Sequence, residues 1–415
     1  MFIQSFFGLI VLTASAWIIG ENRKKARWQD AAVGIAAQLL LALILLKFPY
    51  SHTIFLFLHK AVMVLDDATL SGTSFVFGYL GGGNLPFDEK YPGSSFVLAL
   101  QALPIVLVVS ALSSLLFYWK VLPLIVRAFS FMLEKTFSLG GALGLGVAAN
   151  IFVGMVEAPL FIRPYLKNMT RSELFSIMTC GMATIAGTVM VLYASILRDV
   201  IPETMGHILA ASLISAPAAL TVSRLMVPET DTVTSGRLSS IVSPSSSMDA
   251  VTQGTLDGLK LLMNIVAMLI VLVALVSVVN SLLGLLPYIG NKQVTLQGIL
   301  GYLMAPVAWL MGVPWDEAQT AGALIGTKTV LNELIAYLDL ANLPDNEFSM
   351  RSKMIMTYAL CGFANFGSLG IMIGGLGSMA PERRREIVSL GIKSIIAGTI
   401  ATCMTGAVAG MLYIE

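Results

Sequence analysis

Two acidic side chains stand nearly alone in long apolar stretches: Glu157 in Asn150-Ile151-Phe152-Val153-Gly154-Met155-Val156-Glu157-Ala158-Pro159, and Glu333 in Lys328-Thr329-Val330-Leu331-Asn332-Glu333. An ionised carboxylate at mid-membrane depth costs ~2.5–3.5 kcal/mol on insertion scales, so something must offset it. The offset is either a buried salt bridge to Lys328, protonation of the acid, or hydrogen bonds from a polar solute in a water-accessible cavity, each contributing about 1.5–3 kcal/mol to a charged acceptor. Asn365 and Ser368 are spaced i, i+3 and so share one face of a predicted helix. They either point at the same solute as Glu333 or make ordinary polar contacts between helices. A carboxylate, an amide and a hydroxyl converging on one point suit a polyhydroxylated group such as ribose. Asn150 and Thr184, with a carbonyl freed at a helix break such as that of Val153, are hard oxygen donors suited to sodium, or else a plain inter-helix hydrogen bond.

The elements that must hold these residues are written for lipid. Of the 415 residues, 56% are hydrophobic and 12% charged, and the mean hydropathy is +0.83. The charged share is about half that of soluble domains. The net charge of +1 gives no reason to expect nucleic acid as a partner. Cys180, Cys361 and Cys403 lie singly in apolar stretches, and His52, His59 and His207 lie outside the central motifs, which removes the simple disulfide and zinc-enzyme schemes.

Apolar windows of spanning length fall at about 2–20, 31–48, 95–118, 173–197, 205–226, 260–286, 354–380 and 389–413. The expected fold is therefore an all-α membrane protein of eight transmembrane helices. Basic residues Arg23, Lys24, Lys25 and Arg27 follow the first window, so it is a retained span with the N-terminus outside. Lys120, Arg127, Lys135, Arg163, Lys167 and Arg171, then Arg383, Arg384 and Arg385, fall on the same inner side, while Arg351 and Lys353 run against the rule. Both termini are expected outside. Two further segments, 141–166 and 318–340, are too apolar for loops and too interrupted for spans, and are expected as re-entrant helical hairpins. Residues 51–70 and 120–137 are expected as interfacial helices, and 227–254, with Ser239 to Ser247, as a flexible linker.

Cys180-Gly181-Met182-Ala183-Thr184 after the first hairpin matches Cys361-Gly362-Phe363-Ala364-Asn365 after the second. With hairpins entering from opposite faces, this is the inverted repeat of secondary transporters, whose substrate sits near the midplane between broken helices. The chain divides on this basis into spans 1–3 with interfacial helices (1–137, mainly scaffold), a first transport half (138–226), a cytoplasmic linker (227–257), span 6 with a connector (258–316, scaffold) and a second transport half (317–415).

The strings 150–159, 328–333 and Phe363-Ala364-Asn365, together with Gly72-Thr73-Ser74-Phe75-Val76-Phe77-Gly78, resemble the concentrative nucleoside transporters over nearly the whole chain. The resemblance implies a trimer in the inner membrane that moves nucleosides with sodium as the coupling ion. It assigns Glu333, Asn365 and Ser368 to the ribose, the first hairpin tip (Met155, Val156, Glu157) with Val189 and Phe363 to the base, and Asn150, Val153, Thr184 and Ile185 to sodium. One departure is plain: the family usually carries Gly-Gln-Thr/Ser-Glu at the first tip, and here Met155 and Val156 replace the two polar residues. A proton-coupled carrier is the alternative within the class. A membrane enzyme acting on a lipid-linked substrate would need a nucleophile, base or metal cluster that the sequence does not offer, and a passive channel would not need broken hairpins.

Overall fold

The computed structural model describes all residues but 48, 89–94, 138, 156, 236–243, 288–292, 345–346 and 414–415, together with the backbone alone of 49–52. Most of the serine-rich linker string lies outside the described residues. Backbone groups in lipid must be satisfied within the protein, and the described residues do this wholly with helices: α1 (Phe2–Ile19), α2 (Trp28–Lys47), α3 (Pro49–Phe77), α4 (Leu98–Gln101), α5 (Ile105–Tyr118), α6 (Val121–Phe137), α7 (Gly141–Phe152), α8 (Arg171–Ala183), α9 (Gly187–Ile196) and α10 (Thr204–Met226). Then follow α11 (Ser247–Leu283), α12 (Leu296–Leu310), α13 (Trp315–Val330), α14 (Glu333–Ala341), α15 (Met350–Leu360), α16 (Phe366–Met379) and α17 (Arg384–Leu412).

Among the described residues, seven runs are long and apolar enough to cross a membrane, and the bent pair α12–α13 makes up to eight. Seven of the eight expected windows coincide with these runs. The window at 354–380 does not, because it is two helices, α15 and α16, parted at residues 361–365. The window at 173–197 is likewise parted, α8 from α9, at residues 184–186. Both Cys-Gly pairs therefore fall at the ends of helices, one just inside α8 and one just past α15. The expected hairpins also differ in detail. In 141–166 the second flank is a 3-10 helix, Ala158–Tyr165, with Pro159 and Pro164 denying the α-helical ladder its donors, and it packs back on α7. Residues 258–316 hold more than a span and a connector: α12 is an apolar helix packed on α13 across a 117° bend.

Burial separates an inner body from an outer wall. The spanning windows of α8–α9 and α10 are 89% and 94% buried within the single chain, whereas that of α11 is 11% buried. Helix α11 packs chiefly on α5, while α1 and α2 pack on α17 and α10. At the centre of the body the two breaks touch, since a Cβ on Gly362 would stand 2.9 Å from the carbonyl oxygen of Met182. Only glycine fits there.

At one end of the body a set of charges joins three elements. Thr170 caps α8 in a reciprocal pair with Glu173, which fixes where Arg171 begins the helix. Arg171 then donates to Glu21 in the α1–α2 loop at 2.8 Å and lies 3.4 Å from Glu386 on α17, and Lys393 on α17 also reaches Glu21. The hydrogen bond from Arg171, with the neighbouring Lys393, holds the Glu21 carboxyl down at about 2.

Candidate functional site

Each break carries a polar side chain because a helix end leaves backbone groups unpaired. Asn332 caps α14, its side chain accepting from the Ile335 N–H at 3.0 Å. Asn365 caps α16, its Oδ1 accepting from the Ser368 N–H at 2.7 Å. Asn365 and Ser368 thus converge through a cap at a helix start, and not as neighbours on one continuous span. Glu333, the first residue of α14, is 5% exposed. Its Oε1 accepts from the Tyr193 hydroxyl at 2.6 Å and its Oε2 from the Asn365 amide at 2.8 Å. Lys328 forms no ion pair with it in the structure: its ammonium, 1% exposed, donates to the Ala359 carbonyl at 2.8 Å and to the Thr402 hydroxyl at 3.0 Å.

In the first half, Gly154 turns the chain with φ +125, a value side chains rarely adopt, and a Cβ there would stand 2.8 Å from Ala186 in the α8–α9 break. The tip is thereby seated against the break. Asn150 Nδ2 donates to Thr184 Oγ1 at 2.8 Å, and that hydroxyl donates to the Cys180 carbonyl at 2.9 Å. Val153 ends α7, and Ile185, fully buried, follows Thr184 in the break. An amide oxygen, a hydroxyl oxygen and the carbonyls of two helix ends make a neutral, hard-oxygen donor set, which fits a monovalent alkali cation in chemistry.

The two halves face one cavity of about 150 Å³. A single water needs ~10–15 Å³ by the same measure, so the space holds on the order of ten waters. Its walls include Met155, Glu157 and Val189 from the first half and Glu333, Phe363, Asn365 and Ser368 from the second. Val156 lies outside the described residues. Glu157 is exposed, in contrast to the buried Glu333.

The sequence matches, in chain order, family descriptions for the N-terminus of Na+ dependent nucleoside transporters (residues 7–80), for nucleoside recognition (99–199) and for the C-terminus of Na+ dependent nucleoside transporters (207–410). The chain belongs to the concentrative nucleoside transporter family. Among relatives, it is 35% identical to the nucleoside permease NupC of Helicobacter pylori over 412 residues, covering 98% of this chain and 97% of that one. It is 39% identical to a transporter of Bacillus subtilis, YutK, over 409 residues, covering 97% and 98%. Among solved structures, CNTnw in an inward-facing substrate-bound state superposes with a TM-score of 0.90 at 35% identity, covering 99% of this chain and 98% of that one.

Within this nucleoside transporter, the sequence missed two kinds of lining residue. Tyr193 sits one turn beyond Val189 on α9, with its ring 5.0 Å from that of Tyr337, whose own hydroxyl donates to the Thr357 carbonyl. The i, i+4 spacing from Val189 was the available signal. The wall supplied by α11, including Leu261, Asn264 and Met268, gave no signal beyond one asparagine in an apolar run.

Proposed function

We propose that this transporter imports nucleosides with sodium as the coupling ion, by alternating access, as a homotrimer in the inner membrane with both termini outside. The observation that carries the proposal is the Glu333 carboxylate, held between Tyr193 and Asn365 at the cavity wall. A carboxylate has about four lone-pair sites, and the Tyr193 and Asn365 bonds take one on each oxygen, which leaves acceptor capacity for the 2′- and 3′-hydroxyls of a ribose. Asn365 keeps one amide hydrogen and Ser368 its hydroxyl for the same group. Met155, Val189 and Phe363 offer apolar faces to a base, with Glu157 beside them; Val156, which lies outside the described residues, is proposed for the same subsite. The nucleoside permease NupC among the relatives and the substrate-bound state of CNTnw support the same substrate class.

Sodium would sit among Asn150, Val153, Thr184 and Ile185, joining the α7 end to the α8–α9 break and thereby ordering the first tip. Its charge couples import to the membrane potential, worth ~2.3 kcal/mol per charge per 100 mV. The segments 141–166 and 318–340 are proposed as re-entrant, with the transport halves (138–226 and 317–415) moving against a scaffold. The packing favours a narrower scaffold than residues 1–137 with 258–316: α11 with α5, whose apolar outer face suits contact with further copies.

The test is uptake of radiolabelled uridine and adenosine into proteoliposomes with an inward sodium gradient, against a choline control, for the wild type and Glu333→Ala. Sodium-dependent accumulation that the variant loses supports the proposal. Uptake driven by a proton gradient and indifferent to sodium would replace the coupling ion, and no uptake by a folded protein would overturn the substrate.

A further inference from the structure

The α11 wall of the cavity is formed by Leu261, Asn264, Ile265, Met268 and Leu272, a spacing that places all five on one helical face. Residues 261–276 are otherwise wholly apolar, and Asn264 is their single polar side chain. It is exposed and makes no hydrogen bond among the described residues. An amide on the spanning run of highest mean hydropathy, exposed to the cavity, pairs there with water or with a polar solute that displaces it. The α11 face lies close against the start of α16, since a Cβ on Gly367 would stand 3.2 Å from the Met268 side chain. Asn264, one turn from Met268, therefore lines the same cavity as the helix starts that carry Glu333, Asn365 and Ser368.

A nucleobase presents both donors and acceptors along its edge, and burying that edge unpaired is unfavourable. The walls left for it are mostly apolar, with Met155, Val189, Phe363 and Leu261, and besides Asn332 the polar side chains there are Glu157, an acceptor, and the small hydroxyl of Thr188. Asn332 has its side-chain oxygen committed to its cap. An asparagine amide offers two hydrogens and two lone pairs, so it can pair with either kind of base edge.

We propose that Asn264 is a specificity-determining residue that hydrogen-bonds the edge of the nucleobase from the α11 wall. The inference rests on the nucleoside reading above. Because Asn264 belongs to the α5–α11 pair and Glu333 to the inner body, a bound nucleoside bridges the two, and the base contact breaks when the body moves away.

The experiment is competition by unlabelled uridine, cytidine, adenosine, inosine and 3′-deoxyuridine against the best labelled nucleoside, in wild type, Asn264→Leu and Asn264→Asp. Leucine is isosteric and suits an apolar helix, so the fold is not at risk. Asn264→Leu is expected to raise KM for the preferred nucleoside on the order of five- to tenfold and to flatten the ranking among bases. Discrimination against the 3′-deoxy sugar and the sodium dependence should stay as in the wild type. Asn264→Asp, with an acceptor-only carboxylate, should shift preference toward the amine-bearing cytidine and adenosine. An unchanged ranking in both variants, or a loss that falls equally on base and sugar discrimination, overturns the inference while leaving the nucleoside proposal intact. A wild type that takes up no nucleoside overturns both.

Discussion

The two breaks that meet at the cavity are built from the same motif and finished differently. In the second, Glu333 has both oxygens engaged and is almost completely buried, while Lys328 places a cation against the carbonyl of Ala359 at the end of α15. In the first, Glu157 is exposed, and the donors at Asn150 and Thr184 are neutral and hydrogen-bonded to each other. The difference teaches that one half-site is preformed and carries its own positive charge. The other has oxygen donors ready and no charge of its own among them. On the proposed function, that is the half an ion completes.

The largest effect that would sharpen this contrast is at the glutamates. Glu333→Ala removes an acceptor of two or more charged hydrogen bonds and leaves Tyr193 and Asn365 unpaired, so nucleoside uptake should fall a hundredfold or more at about 1.5–3 kcal/mol per bond. Glu157→Ala should cost about tenfold in the same assay, and equal losses would erase the asymmetry. Next in size, Asn150→Leu should abolish stimulation of uptake by sodium while the detergent-solubilised protein keeps its thermal unfolding temperature; a wild-type sodium dependence in this variant would move the ion elsewhere. Tyr193→Phe leaves one Glu333 oxygen short of a donor, and should raise KM for nucleosides about tenfold, ~1–1.5 kcal/mol, without touching the sodium response.

The smallest effect concerns the charges that tie both halves to the α1–α2 loop. Glu21 is held near 2 against an ordinary 4.5, so its folded-state value is depressed. A depressed carboxyl contributes stability that is present above its unfolded value and lost as pH falls toward the folded one. Glu21→Gln should therefore lower thermal stability at pH 7 by about 0.5 kcal/mol, given its partial exposure. The gap between variant and wild type should close as the pH drops from about 4.5 toward 2.

Much of this was legible in the sequence, for stated reasons. Spanning helices follow from apolar length, and five of the eight windows needed no revision beyond their ends, the window at 95–118 being parted at 102–104 between α4 and α5. Of the seven expected residues that line the cavity, Glu157, Glu333, Asn365 and Ser368 stand out because a polar group in an apolar run has to be explained, whereas Met155, Val189 and Phe363 came only with the family resemblance. What stayed hidden was the interruption of helices at 184–186 and 361–365. Both stretches are as apolar as a continuous span, and only the caps made by Asn365 and the close contact at Gly362 show that the ladder stops. Tyr193 stayed hidden because a tyrosine among aliphatic residues looks like packing until its hydroxyl finds Glu333. Helix α12 was lost because a short apolar helix between loops falls below spanning length.

The contact between Gly362 and Met182 also bears on how such a molecule can diverge. With no room for even a methyl group where the two breaks cross, neither half can be re-spaced without the other, and the frame is shared between them. A change of diet must be made on the cavity wall, by side chains such as Val189 and Phe363 that line the space away from that crossing.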